Sequence, residues 1–245
     1  MKALFTLGEV ARMVGLEGGA LRRLEREGSI PTARRTDANQ RVYTFDEAHR
    51  LVLRFRGSFR RRLAVVNQKG GVGKTTTAFN LAGALAARGR RVLAVDLDPQ
   101  ADLTSSLVDL PDDAPSTEDL FSSPGMDAAA VVRPTPVPGV DLVPARTRLA
   151  GVETRIAGLP LRETLLGRRL APLAARYEIV LMDCPPNLSL VTVNALAACD
   201  EAIVPLEAHV YSIRAVADLP GRSSWSAAGW AATSRCGSCP RRWTR

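Results

Sequence analysis

Lys69-Gly70-Gly71-Val72-Gly73-Lys74-Thr75-Thr76 is the stretch on which the fold turns. It follows a short β-rich run, Leu63-Ala64-Val65-Val66, and opens an apolar helical pattern from Thr75 to Arg88 that Gly89 ends. A glycine-rich turn between a buried-type strand and a helix lets consecutive backbone N–H groups curl round an anion, and the helix N-terminus adds its partial positive charge. The strict phosphate-loop pattern asks for glycine where this chain has Gln68, so the match is to a variant. Gly70, Gly71, Val72, Gly73, Lys74, Thr75 and Thr76 are the expected nucleotide cradle, with Lys74 reaching the β- and γ-phosphates and the Thr75 hydroxyl ligating magnesium. The bland alternative is a glycine-rich turn carrying a solvated lysine.

Working outward, Arg91 to Asp96, Val140 to Val143, Ile179 to Met182 and Ala202 to Val204 read as further strands, with a helix between Arg162 and Arg176. Strand and helix in alternation predict an α/β fold of the P-loop NTPase type, a mainly parallel sheet with flanking helices. Asp96 and Asp98 close the second strand and Asp183 another. A carboxylate at the end of an apolar strand is costly unless a cation or bound water meets it, which makes these three the expected magnesium and water partners rather than ordinary loop caps. Between Pro111 and Pro138 lie six of the sixteen prolines, so that stretch reads as an irregular excursion outside the core.

The 245 residues are enough for one or two domains, and 46% apolar composition excludes a disordered or fibrous chain. Apolar runs of four to six residues fit neither a membrane span nor a signal peptide, so the expected compartment is the cytoplasm. Four cysteines and two histidines are scattered too widely for a disulfide framework or a metal-ligand set. The net charge of +8 sits at the ends: +5 over residues 1–60, −2 over 61–220 and +5 over 221–245. Such asymmetry points to an acidic partner, nucleic acid first, at a terminal module.

Over about residues 61 to 219 the chain resembles the ParA/MinD family of deviant Walker ATPases, and partition ParA proteins in particular. The resemblance rests on KGGVGKTTTAFNLAGALAARGRRVLAVDLDPQADLT (69–104), VDLVPA (140–145), YEIVLMDCPPNLSLVTVNAL (177–196) and EAIVPLEAHVYSIRA (201–215), in that order. It implies an ATP hydrolase using ATP and Mg²⁺. Lys69 is similar to the family's signature lysine, which crosses a dimer interface to the partner's phosphates. Lys74 and Thr75 match the ordinary phosphate and magnesium residues, Asp98 the carboxylate that orients the attacking water, and Asp96 and Asp183 the magnesium-side carboxylates, acting through water. It also implies an ATP-dependent homodimer, non-specific DNA coating at the nucleoid and hydrolysis stimulated by a ParB-like partner. Phosphoryl transfer rests on positioning and charge neutralisation, so a lysine supplied in trans ties hydrolysis to dimerisation.

Residues 4 to 56 resemble a MerR-type winged helix-turn-helix. Leu7, Val10, Ala11 and Val14 share one apolar face and Leu21 and Leu24 another, and Gly28 stops the second helix. Arg22, Arg23 and Arg26 are left exposed, and Arg34, Arg35, Arg41 and Tyr43 fall in or beside the wing. Arginine forks take guanine edges or phosphates bidentately, so these seven residues are the expected DNA contacts, with operator binding and autorepression as the implied role. Against that stands a solvated arginine face. Gly18-Gly19 weakens the start of the second helix.

The expected organisation is a DNA-binding domain over 1–58, an incomplete ATPase domain over 61–220 and an aberrant, disordered tail over 221–245. The tail holds all three tryptophans and no Leu, Ile, Val, Asp or Glu, so no helix or strand period can be built from it. That composition is what a GC-rich gene read out of frame near Asp218 to Gly221 would give. Cys236-x-x-Cys239 has no second pair to complete a zinc site. Three rivals stay open: a transcriptional regulator whose oligomeric state ATP sets, a metabolic enzyme of the same superfamily, and an inactive frameshifted product.

Overall fold

The computed structural model describes residues 4–123 and 125–207, together with the backbone of strand 231–235. The N-terminal module comprises β1 (Leu4–Thr6), α1 (Leu7–Val14), α2 (Gly18–Arg26), β2 (Arg34–Arg35), β3 (Arg41–Thr44) and α3 (Phe45–Arg56). Thr6 and Thr44 start α1 and α3 through capping boxes with Glu9 and Glu47, each satisfying two otherwise orphaned backbone donors. No side-chain cap supports α2, which begins at Gly18 as its weak sequence start suggests. The predicted apolar face of α1, Leu7, Val10, Ala11 and Val14, is buried, and Leu21 meets it from α2. Strands β1, β3 and β2 form an antiparallel sheet in that order, with β2 and β3 as the wing.

The second unit runs through β4 (Arg61–Val65), α4 (Lys74–Ala86), β5 (Val92–Asp96), α5 (Asp102–Leu107), α6 (Thr117–Ser122), β6 (Arg133–Pro134), β7 (Val140–Val143), α7 (Val152–Ile156), α8 (Leu165–Ala174), β8 (Ile179–Asp183), α9 (Leu190–Ala198), β9 (Glu201–Pro205) and β10 (Ala231–Arg235). The strands lie in the order β10-β9-β4-β8-β5-β7-β6. The five central strands are parallel, while the short edge strands β6 and β10 pair antiparallel. β5 and β8 are buried along their whole length, as the continuous apolar runs require. Ala78, Ala82 and Ala86 at four-residue spacing let α4 lie close on one sheet face, and α8 and α9 cover the other.

Two expectations change. The proline-rich stretch from 111 to 138 is no mere excursion: α6 forms in it, and Leu120, Phe121, Ala128 and Val131 are buried in the core with α7 and α8. Proline spacing marks where regular structure stops, but it does not forbid the short apolar clusters between prolines from packing. Within the tail, Ala231–Arg235 pairs antiparallel with Pro205–Glu201, because backbone ladder bonds need no aliphatic side chain. The rest of the expected tail lies outside the described residues.

The module is docked at the N-terminal ends of the strands. The Phe45 ring fills the space above Gly139, and Val52 packs against Gly89. The His49 imidazole, stacked on Phe45, donates from Nδ1 to the Gly89 carbonyl at 2.8 Å. Buried Glu178 accepts from Arg90 at 2.5 Å and lies 3.5 Å from His49 Nδ1, and Arg90 also reaches the Gly57 carbonyl. Arg91 pairs with Asp46 at 2.6 Å. One continuous apolar cluster therefore includes Phe45, Leu51 and Val52 of the module with Ala86, Val92 and Val140 of the sheet unit.

Candidate nucleotide site and nucleic-acid interface

The site is built at the opposite, C-terminal ends of the strands. Gly71 and Gly73 take φ of +75° and +84°, the left-handed conformation that a tight phosphate loop needs, and Gly73 is the N-cap of α4. Lys74 is buried, and its Nζ donates to the Lys69 carbonyl at 3.2 Å, across the loop. Pairing of β8 with both β4 and β5 places Asp183 beside Val65 and beside Asp96. Three strand ends thus meet the loop at one point.

The carboxylates are not equivalent there. Asp96 is fully buried; Oδ2 accepts from the Thr104 hydroxyl (2.6 Å) and backbone N–H (2.9 Å), and Oδ1 accepts from the Asp98 N–H (3.1 Å). Three of its acceptor positions thus hold α5 and the Asp98 backbone in place. Asp183 is 1% exposed and neither carboxylate oxygen has a hydrogen-bond partner among the described residues. Burial pushes Asp183 up to about 7, the Thr75 side chain and Lys74 act to lower it, and Asp96 and Asp98 to raise it. Burial likewise raises Asp96 to about 6. An orphaned buried carboxylate beside a phosphate-loop threonine is a donor set that fits a hard divalent cation. Asp98 is half-buried, and its Oδ1 accepts from the Gln100 N–H at 2.9 Å.

Lys69 stands apart from Lys74. Its backbone N–H donates to Asn67 Oδ1 (2.9 Å), and its Nζ pairs with Glu207 at 2.5 Å. Asn67 also donates to the Pro205 carbonyl at 2.7 Å, stapling the loop mouth to the end of β9. Sequence reasoning gave no role to Asn67, Thr104 or Glu207. Thr104 and Glu207 lie inside the resembling stretches, but only the tertiary pairing identifies their partners.

On the module, Arg22, Arg23 and Arg26 are exposed along α2, and Arg34 and Arg35 are exposed on the wing. Arg34 approaches Glu47 at 3.4 Å, Arg23 approaches Glu27 at 3.7 Å, and Arg35 donates to Asn39. One expected DNA contact, Tyr43, is corrected, and another, Arg41, is partly engaged within the module. Arg41 is half-buried and donates through Nε to Glu25 at 2.9 Å, while the other Glu25 oxygen accepts from the Ala33 N–H, so the pair braces the base of the wing. Tyr43 is 2% exposed with its ring in the module core.

A parallel sheet with a phosphate loop at its C-terminal edge and a cation-ready carboxylate on the adjoining strand defines a P-loop nucleotide-binding protein. The AAA domain family AAA_31 matches residues 60–222, and the chain belongs to that family. The MerR family of regulatory proteins matches residues 6–43. The chain is 39% identical over 158 residues to the sporulation initiation inhibitor protein Soj of Bacillus subtilis, covering 64% of this chain and 62% of that one. It is 44% identical over 162 residues to the chromosome-partitioning ATPase Soj of Thermus thermophilus, covering 65% and 59%. A cobyrinic acid a,c-diamide synthase from Mycobacterium smegmatis, solved with a bound ATP analogue and magnesium, superposes with a TM-score of 0.58 at 42% identity, over 64% of this chain and 66% of that one. The chain thus spans about three fifths of the length of the curated relatives it matches. No helix among the described residues is long and apolar enough to cross a membrane.

Proposed function

We propose that this chain is a partition-type ATPase that binds ATP with magnesium, closes as a homodimer, associates with DNA and hydrolyses ATP when a ParB-like partner stimulates it. The observation that carries the reading is the Asp183 carboxylate, buried without a hydrogen-bond partner among the described residues beside the Thr75 end of the phosphate loop. Magnesium bound there would neutralise developing phosphate charge. Thr75 and Asp183 would hold it, Lys74 and the loop N–H groups would hold the phosphates, and Asp98 would orient the attacking water. Asp96 acts indirectly, by fixing the Asp98 backbone. Lys69, exposed at the mouth of the loop, is the residue supplied to the partner's phosphates.

The module supplies operator recognition through Arg22, Arg23 and Arg26, with Arg34 and Arg35 against the backbone, and autorepression follows from it. One observation also favours a nucleotide-controlled regulator. Helix α4 begins in the phosphate loop and ends at Ala86, which belongs to the same apolar cluster as the docked module, so one helix links the loop to the module's seam. Turnover separates the two readings. ATP hydrolysis by the purified chain is expected to rise with duplex DNA and partner, and to be lost in Lys74→Ala and Lys69→Ala. Stimulated hydrolysis that survives Lys69→Ala overturns the dimeric mechanism, and negligible turnover under all conditions favours the regulator.

A further inference from the structure

We propose that Glu207 is a positioning residue for Lys69, holding its ammonium in cis in the nucleotide-free chain and setting the threshold for its transfer to a second copy's triphosphate. The inference rests on the trans-lysine reading above and adds to it a residue and a regulation.

The pair is an extension of the sheet. β4 and β9 run parallel with Leu63 opposite Glu201, Ala64 opposite Ala202 and Val65 opposite Ile203. The same offset continues past the strand ends, where Asn67 Nδ2 donates to the Pro205 carbonyl at 2.7 Å and Lys69 Nζ meets Glu207 Oε2 at 2.5 Å. The Lys69 N–H to Asn67 Oδ1 bond closes the unit, so the lysine backbone is fixed to the strand that delivers the carboxylate. The two loop lysines are thereby sorted. Lys74 is buried and bonded within the loop, whereas the Lys69 side chain is 62% exposed and held from the side.

That exposure sets the strength. A solvent-screened ion pair contributes about 0.2–1 kcal/mol, enough to bias a lysine and too little to trap it. A triphosphate brings more negative charge than one carboxylate and draws the ammonium away once a second copy presents it. The latch raises the concentration needed for closure and leaves closure possible.

The chain has only three lysines, Lys2, Lys69 and Lys74, which makes amine labelling site-resolved. Nucleotide-free wild type, Glu207→Gln and Glu207→Asp are labelled with acetic anhydride over a pH series, with Lys2 as internal reference, and dimerisation is followed by analytical ultracentrifugation with a non-hydrolysable ATP analogue and Mg²⁺. Glu207→Gln is expected to raise Lys69 labelling about 2–5-fold and to lower the dimerisation midpoint by a similar factor, the range an exposed ion pair allows. Glu207→Asp, which keeps the carboxylate, is expected to fall between, and unchanged circular dichroism melts exclude a folding defect. Equal Lys69 labelling in wild type and Glu207→Gln overturns the latch, and faster labelling with an unmoved midpoint overturns its control of closure. Lys69→Ala dimerising like wild type sinks the trans-lysine reading instead, while the labelling comparison still decides the cis pair.

Discussion

The ring of Phe45 occupies the space that a side chain on Gly139 would need, so that a Cβ built at Gly139 falls inside the van der Waals surface of the ring. This contact joins the first residue of α3 to the turn that enters β7, and it is where the module and the sheet unit are most tightly fitted. Gly139 also has φ of +86°, a conformation that L side chains disfavour. Gly139→Ala is therefore expected to destabilise the protein by about 2–4 kcal/mol, overpacking and backbone strain together. Urea unfolding measures it, and a loss below 0.5 kcal/mol would mean that the module is not seated as described.

Glu178 is the electrostatic centre of the same seam. It is buried, accepts from Arg90 and the Arg91 N–H, and faces His49. Removing one partner of a buried pair strands the other, so Glu178→Ala is expected to cost about 3–5 kcal/mol. Limited proteolysis in the connector at 57–60 should accelerate in the variant, and an unchanged cleavage rate would show that Glu178 does not hold the module in place.

Nucleotide-free stability should depend on pH in a defined direction. Asp183 and Asp96 are raised to about 7 and about 6 from 3.8, so the folded state holds protons that the unfolded chain has already released. Stability contributed this way is complete below about pH 4 and is lost as pH rises through about 7, on the order of 4 kcal/mol for Asp183. Asp183→Asn should flatten the profile and raise the urea midpoint at pH 7.5, while losing the extra stabilisation that Mg²⁺ with an ATP analogue gives to wild type. Parallel wild-type and variant profiles between pH 4.5 and 7.5 would contradict this.

On the module, position and sequence type part company. Replacing Arg22, Arg23 and Arg26 together by alanine is expected to weaken operator binding and relax its sequence preference, whereas replacing Arg34 and Arg35 is expected to lower the salt slope by about 2, one counterion per lost phosphate contact. Tyr43→Phe should leave DNA affinity unchanged and be neutral or slightly stabilising, because the buried Tyr43 hydroxyl has no hydrogen-bond partner among the described residues. Anisotropy titrations at two salt concentrations test both, and a Tyr43→Phe protein with impaired DNA binding would restore the residue to the interface.

Legibility from sequence followed the range of the interaction. The phosphate loop, the strands on either side of it and the apolar face of α1 are set by patterns within a dozen residues, and they stand where the pattern puts them. Arg41 and Tyr43 read as DNA contacts because the MerR-like Arg41-Val42-Tyr43 run falls in the wing. The Glu25 carboxylate, sixteen residues away, engages the Nε of Arg41, and the module's apolar core takes up the Tyr43 ring. The cluster of Leu120 and Phe121 was hidden for the opposite reason, its proline-rich setting masking an apolar pair that packs against distant helices.

The sequence alone determined that a triphosphate-type cradle precedes an alanine-rich helix, since glycines at Gly71 and Gly73 and apolar periodicity are local requirements of backbone conformation and burial. Only the tertiary structure decided that β8 lies between β4 and β5, and with it that Asp183 is the orphaned carboxylate while Asp96 is hydrogen-bonded through both oxygens. Strand order and side-chain partnership are set by which surfaces exclude water together, and those surfaces come from segments more than eighty residues apart.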